Sequence, residues 1–158
     1  QALQAALADC DIMREKEGQA LQQELLGRLD KFETIVQQIE TMIPELQRQR
    51  QTELRSRINK LLEGLDIDPL RLAQETAIMA DKSDVTEEII RLQSHIAQFR
   101  AFLSGQEPVG RRLDFLLQEF LREVNTLSSK INNAGIAHLG VEMKNEIEKL
   151  REQVQNIE

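Results

Sequence analysis

Apolar residues recur at alternating steps of four and three through most of this chain, and this spacing limits the folds available to it. The longest run spans residues 25–46, and similar runs occupy residues 85–103, 113–131 and 136–157. The members of the longest run are Leu25, Leu29, Phe32, Val36, Ile39, Ile43 and Leu46. A seven-residue repeat forms one apolar stripe along an α-helix, whereas a half-buried strand alternates every second residue. The sequence therefore predicts an all-α fold.

Short turn-forming segments separate these runs and indicate how the helices are arranged. Residues 64–68, 104–105 and 132–135 are rich in Gly, Asp, Asn and Ser. Asp84, three residues before Glu87, resembles a capping box at the start of a helix. Helices joined by short turns pack as antiparallel neighbours. We therefore predict an antiparallel helical bundle with a long projecting coiled-coil hairpin.

A proline in the first long helical segment affects the predicted domain division. Pro44 has no N–H to donate and its ring crowds the preceding turn, and the apolar stripe resumes out of phase at Leu54. We predict a coiled-coil arm over residues 1–66 with a kink or break at Pro44, followed by a bundle domain over residues 67–158. Because the chain opens at Gln1 within a helical pattern, we expect it to be part of a longer protein.

Composition narrows the functional classes. No stretch approaches 18 apolar residues, so the sequence predicts no transmembrane helix. Cys10 has no second cysteine to pair with and is predicted to be a small core residue in a reducing, cytoplasmic environment. The net charge of −7 disfavours indiscriminate nucleic-acid binding, which depends on Lys and Arg.

One basic run departs from this acidic balance. Between residues 48 and 60 there are five basic residues and a single acidic one, Glu53. The basic residues are Arg48, Arg50, Arg55, Arg57 and Lys60. Such a run is typical either of a solvated helix face or of a surface that contacts a phosphate backbone. The sequence leaves both interpretations open.

Two polar stripes flank the apolar runs in the second half of the chain. The first steps by four, three and four through Asp84, Glu88, Arg91 and His95. The second lies in the next segment and contains Arg111, Arg112, Asp114, Glu119, Arg122, Glu123, Asn125 and Lys130. If the two helices are antiparallel neighbours, carboxylates, a histidine and arginines converge in a groove. That set suits a divalent cation or acid–base chemistry on a phosphodiester. Ordinary surface ion pairs along each helix are the alternative.

Three separated blocks of this sequence resemble a known family. They are residues 80–95 (ADKSDVTEEIIRLQSH), residues 108–130 (PVGRRLDFLLQEFLREVNTLSSK) and residues 151–158 (REQVQNIE), in that order. Arg14 and Glu17-Gly18 also match. All of these resemble the YicC/YloC family of endoribonucleases. The resemblance implies a cytoplasmic, metal-dependent endoribonuclease that acts on RNA, assembles as a homo-oligomeric ring, expected to be a hexamer, and has a further N-terminal domain ahead of this region.

Within this resemblance each polar residue receives a hypothetical role. Mn²⁺ or Mg²⁺ would be held by Glu88, His95, Glu119 and Glu123, which are also the candidate catalytic residues. His95 is either a ligand or the acid–base group. The candidate RNA contacts are Arg91, Arg111, Arg112, Arg122, Asn125, Lys130, Arg48 and Arg55. Two other functions remain open: a structural oligomerisation module, and an RNA-binding adaptor without catalysis of its own.

Overall fold

A computed structural model describes residues 2–61, 69–105 and 108–157 of the chain. Within these residues the chain forms α-helices and no strand, which confirms the predicted all-α class. The helices are α1 (Ala2–Leu61), α2 (Pro69–Lys82), α3 (Thr86–Leu103), α4 (Gly110–Lys130) and α5 (Ala134–Val154). The turn predicted at residues 64–68 lies outside the described part. In the described part, no helix is long and apolar enough to cross a membrane.

Four of these helices form an antiparallel bundle. α1 packs against α3 and α5, and α4 packs against the same two helices. The amide of Gln22 donates to the carbonyl of Leu103 near one end of the α1–α3 pair, and Gln93 donates to Glu40 nearer the other. These contacts show that α1 and α3 run in opposite directions. Because α1 and α4 share both neighbours, they lie diagonally across the bundle.

The apolar stripes meet in a core centred on three phenylalanines. Phe32 of α1, Phe99 of α3 and Phe120 of α4 are fully buried. The Phe32 and Phe120 rings stack with centroids 4.9 Å apart, and the Phe99 and Phe120 centroids lie 6.1 Å apart. The stack therefore joins the diagonal helices through the bundle axis. The apolar run predicted over residues 85–103 is also buried in α3. Its buried members there are Ile89, Leu92, Ile96, Phe99 and Leu103.

The structure modifies the predicted arm in the first part of the chain. The middle of α1, from Leu25 to Ile39, supplies buried side chains to the bundle, so this stretch is not an arm separate from it. Of the predicted kink or break at Pro44, the break is absent, because α1 continues through this residue. Pro44 is exposed, so the carbonyl that loses its helical hydrogen bond can be hydrated instead.

Parts of α1 on both sides of this buried stretch extend away from the core. All described side chains of residues 2–20 are exposed, and those of residues 47–53 are exposed as well. At 1.5 Å per residue, a helix of 60 residues is about 90 Å long. The long helix is therefore confirmed, although its middle belongs to the bundle. Cys10 is exposed rather than buried, because its part of α1 has no neighbouring helix among the described residues.

The start of α3 is stabilised by a polar residue just before it. Oδ1 of Asp84 accepts hydrogen bonds from the Thr86 N–H at 2.9 Å and the Thr86 hydroxyl at 2.6 Å. The predicted capping partner Glu87 is not involved in these bonds, and the helix begins two residues after Asp84. The hydrogen bond from the Thr86 hydroxyl, followed by that from the Thr86 N–H, lowers the pKa of Asp84.

Replacing Asp84 with alanine is expected to lower the free energy of unfolding by about 1 kcal/mol at neutral pH, since an intramolecular hydrogen bond typically contributes about that much to stability. Because the pKa of Asp84 is lower in the folded state, its carboxylate stabilises the fold at pH values above the pKa of aspartate in the unfolded chain, about 3.9. This contribution is lost as the pH falls through the pKa of Asp84 in the folded state. Urea unfolding from pH 7 to pH 3 measures both effects. A difference between wild type and variant that stays constant down to pH 3 would contradict this account.

Candidate functional site

The two predicted polar stripes face each other along the groove between α3 and α4, hereafter the α3–α4 groove. Near one end, Nζ of Lys130 lies 2.7 Å from Oε1 of Glu88. In the middle, a guanidinium nitrogen of Arg91 lies 3.4 Å from Oε1 of Glu123. One turn further along α3, His95 meets Glu123 and also Glu119. Residue numbers rise along α3 as they fall along α4, as antiparallel packing requires.

Three of the four predicted cation ligands come together in this groove. His95, Glu119 and Glu123, hereafter the His95 cluster, each offer one ligand atom, and these atoms lie within 4.8 Å of one another. Glu123 is only 2% exposed, while His95 and Glu119 are half-buried. An imidazole nitrogen and carboxylate oxygens at such distances are a donor set that Mn²⁺ and Mg²⁺ accept.

A buried nitrogen supports this arrangement. Nδ1 of His95 is buried and has no hydrogen-bond partner within residues 2–61, 69–105 and 108–157. The His95 ring lies against the core, with its centroid 6.2 Å from that of Phe120. A buried polar atom without a partner is costly and is often accounted for by a ligand or a catalytic role. The residues present therefore fit a divalent cation.

Glu88, the fourth predicted ligand, does not join the His95 cluster. It is 4% exposed and is paired with Lys130, whose Nζ also donates to the backbone carbonyl of Asp84 at 3.0 Å. A buried carboxylate requires a nearby counter-ion, and Lys130 supplies it from the end of α4. The ion pair also links the end of α4 to the start of α3. Glu88 therefore pairs with Lys130 instead of joining the His95 cluster, and its Oε2 is buried without a hydrogen-bond partner among the described residues.

Two predicted phosphate-binding arginines flank the His95 cluster. Arg91 pairs with Glu87 and with Glu123, and Glu87 above all, then Glu123, raises the pKa of the Arg91 guanidinium. On the other helix, Arg122 lies 3.5 Å from Glu119. Glu87 was predicted as a capping residue and not as a partner of Arg91, although its position four residues before Arg91 is the usual spacing of a helical ion pair.

The other predicted RNA-contacting residues lie on α4 and on α1. The guanidinium of Arg112 lies over the Phe102 ring, 4.1 Å from its centroid, and Arg111 and Asn125 are exposed on α4. Arg48 is exposed on α1 and pairs with Glu45 at 3.2 Å. The side chain of Arg55 lies outside the described part of the structure.

The basic run lies along one face of α1 between residues 45 and 60. The basic residues of this face are Arg48, Arg57 and Lys60, and its polar ones include Thr52 and Ser56. Glu45 and Glu53 also lie on it, so the surface carries both signs of charge. The run is an exposed helix face in this structure, and its contact with a phosphate backbone stays a prediction.

The sequence of this chain is similar to that of a known protein family. A family model described as "Endoribonuclease YicC-like, C-terminal" matches residues 39–158. The chain belongs to the YicC-like endoribonuclease family. This confirms the resemblance seen in the three sequence blocks, since the matched range includes all of them.

Two curated members of the YicC-like family are similar over nearly the whole chain. A protein named "Probable endoribonuclease YicC" from Clostridioides difficile (strain 630) is 43% identical over 159 residues, covering 100% of this chain and 54% of that protein. A protein of the same name from Haemophilus influenzae (strain ATCC 51907 / DSM 11121 / KW20 / Rd) is 38% identical over 152 residues, covering 96% and 52% respectively. The chain spans about half the length of the curated relatives it matches.

The α3–α4 groove thus lies within residues 39–158, the range that the YicC-like family model matches. It combines buried carboxylates, an imidazole and two arginines with exposed guanidinium groups. Carboxylates and imidazole can hold a cation or move protons, and arginines bind phosphate oxygens through paired N–H groups. The groove therefore has the groups needed to act on a phosphodiester.

Proposed function

We propose that this chain carries the catalytic centre of a metal-dependent endoribonuclease, and that the His95 cluster is that centre. The observation that carries the proposal is the convergence of His95, Glu119 and Glu123 within 4.8 Å, with Nδ1 of His95 buried and unpartnered among the described residues. The family description and the names of the relatives support RNA as the substrate.

The cluster residues would hold Mn²⁺ or Mg²⁺ in the α3–α4 groove. A divalent cation supplies Lewis-acid chemistry, which makes water more acidic and stabilises negative charge on phosphate. Glu119 and Glu123 provide the negative charge that such a cation needs, and His95 provides the neutral third donor. Placement against the Phe120 ring restricts the imidazole of His95 and keeps bulk water from one side of it.

The reaction would be hydrolysis of an internal phosphodiester. Water forms a new bond to phosphorus, the bond from phosphorus to the leaving sugar oxygen breaks, and a proton from water ends on that oxygen. Arg91 and Arg122, which pair with Glu123 and Glu119 on the two walls of the groove, would bind the phosphate oxygens. Arg111, Arg112 and Asn125 would extend the RNA contact along α4, and the basic residues of distal α1 would contact the backbone without sequence preference.

We also propose that the chain assembles with copies of itself in the cytoplasm, as the family resemblance implies. The exposed part of α1 supports assembly, since its apolar side chains lack partners within the described residues. They are Leu3, Leu7, Ile12 and Met13. If catalysis resides elsewhere, the same feature favours the alternative in which the chain is an oligomerisation module. Analytical ultracentrifugation over a range of protein concentrations distinguishes a ring from a monomer.

The experiment that tests catalysis is cleavage of an end-labelled hairpin RNA by the purified chain with Mn²⁺. We expect cuts that disappear with a chelator and that are largely lost in a Glu119→Gln variant. Glu148→Gln, at an exposed position on α5, is the matched control and is expected to cleave normally. If wild type makes no cuts with Mn²⁺, a catalytic centre within this chain is contradicted. Salt-sensitive RNA binding without cuts would then favour the adaptor role.

A further inference from the structure

Both carboxylates of the His95 cluster are already paired with an arginine. Glu123 on α4 is 3.4 Å from Arg91 on α3, and Glu119 is 3.5 Å from Arg122 on its own helix. The two arginine side chains are accessible, whereas Glu123 is almost completely buried. Each guanidinium therefore reaches from the solvent side toward a carboxylate that is also a candidate cation ligand.

The carboxylates of the site are compensated in this arrangement. Glu123 and Glu119 face two guanidinium groups, and Arg91 has a further carboxylate partner in Glu87. A divalent cation on the same carboxylates adds two positive charges next to Arg91 and Arg122. Close like charges repel strongly in a partly buried groove, where the effective dielectric constant is well below that of water. Each arginine then loses a carboxylate partner, Arg91 retaining only Glu87, and the anions an RNA strand offers in exchange are its phosphates.

We infer that Arg91 and Arg122 are exchangeable counter-ions, which hold Glu123 and Glu119 when no cation is bound and transfer to RNA phosphates when one is. This inference rests on the proposed function, because it takes the His95 cluster as the cation site. It goes further in stating that cation and RNA bind cooperatively. Each ligand removes a competitor of the other, and such a coupling is reciprocal.

The inference predicts changes in Mn²⁺ and RNA affinity that would not be seen if the two arginines had a purely structural role. Without Arg91, Glu123 loses its paired cation, so Mn²⁺ meets less competition and binds more tightly. The same substitution removes a phosphate donor, so RNA binds more weakly. An arginine that served only to hold the helices together would, on removal, weaken both kinds of binding. Opposite changes in the two affinities therefore identify an exchangeable counter-ion.

The test compares Arg91→Met and Arg122→Met with wild type. Arg151→Met is the matched control, since Arg151 pairs with Asp114 at 3.6 Å and is about as exposed as Arg91, but belongs to another helix pair. Isothermal titration calorimetry measures Mn²⁺ affinity with and without a 2′-O-methyl RNA oligonucleotide, whose integrity is checked on a gel. Circular dichroism verifies the helical content of each variant.

We expect the oligonucleotide to tighten Mn²⁺ binding to wild type by about tenfold, within the usual range of coupling between two sites. Without the oligonucleotide, both variants are expected to bind Mn²⁺ about five- to tenfold more tightly than wild type, a step at the lower end of the same range. In both variants the oligonucleotide should tighten Mn²⁺ binding much less than it does in wild type, while Arg151→Met behaves as wild type. If Arg91→Met does not fold, Arg122→Met still decides the matter, since Arg122 is the more exposed of the two.

Two failures lead to different conclusions. If wild type binds Mn²⁺ and loses it in Glu119→Gln, but the arginine variants bind Mn²⁺ no more tightly than wild type, the counter-ion inference is overturned and the proposed function survives. If wild type binds no Mn²⁺, the His95 cluster is not a cation site, and both proposals are overturned.

Discussion

Glutamine in place of Glu123 is expected to reduce Mn²⁺-dependent RNA cleavage by about 10²- to 10⁴-fold, since metal-assisted charge stabilisation supplies several kcal/mol and each 1.36 kcal/mol is a factor of ten in rate. Glu123 is the most buried member of the His95 cluster, and the substitution removes its charge with little change in volume. The amide can no longer balance a divalent cation or the neighbouring Arg91. Initial cleavage rates with Mn²⁺ at saturating RNA measure the effect.

The same preparation separates loss of chemistry from loss of structure. Because Glu123→Gln also removes a buried charge, the fold of the variant is checked as well. Its helical content and its urea midpoint should remain close to those of wild type. Glu148→Gln provides the control for an equal change at an exposed carboxylate. A folded Glu123→Gln variant that cleaves at the wild-type rate would remove Glu123 from the catalytic centre.

Alanine in place of Phe120 is expected to lower the free energy of unfolding by about 3–5 kcal/mol, as large-to-small substitutions of buried aromatic residues do. The Phe120 ring is fully buried and stacks on Phe32 from the diagonal helix at 4.9 Å, with Phe99 at 6.1 Å. Its loss opens a cavity on the bundle axis, where three helices share contacts. Urea unfolding followed by circular dichroism gives the difference.

Phe115→Ala is the matched control for this prediction. Phe115 lies on the same helix but is 59% exposed, so removing its ring should change the free energy of unfolding by no more than about 0.5 kcal/mol. Similar values for the two alanine variants would show that the Phe120 stack does not carry the stability of the bundle.

The helices and their buried faces were largely predictable from the sequence, because a seven-residue apolar repeat defines one stripe on a helix regardless of its partner. Leu92, Ile96 and Phe99 illustrate this, since all three were predicted to lie in the seam and all three are buried. The division of α1 was not predictable in the same way. The apolar residues between positions 25 and 46 have the same spacing whether they pack in a separate arm or in the bundle.

The candidate site was predicted as a set of residue types, but its membership depended on the fold. Spacing along α3 places Glu88 and His95 on one stripe, two turns apart. It does not specify which residue of α4 lies opposite each of them. The packing of the core sets that register, and it places Lys130 against Glu88 and two carboxylates against His95. Glu88 thus became half of an ion pair while Glu119 and Glu123 became candidate ligands.

By itself, the sequence determined that this chain is all-helical, where its apolar stripes lie, and to which family it belongs. These properties depend on local spacing and on residue identity, which tertiary contacts do not alter. Only the tertiary structure decided that the middle of α1 closes the bundle, that α1 continues through Pro44, and that His95, Glu119 and Glu123 meet. Those outcomes depend on how separate helices are aligned when their side chains interlock, and that alignment is a property of the packed core rather than of any one helix.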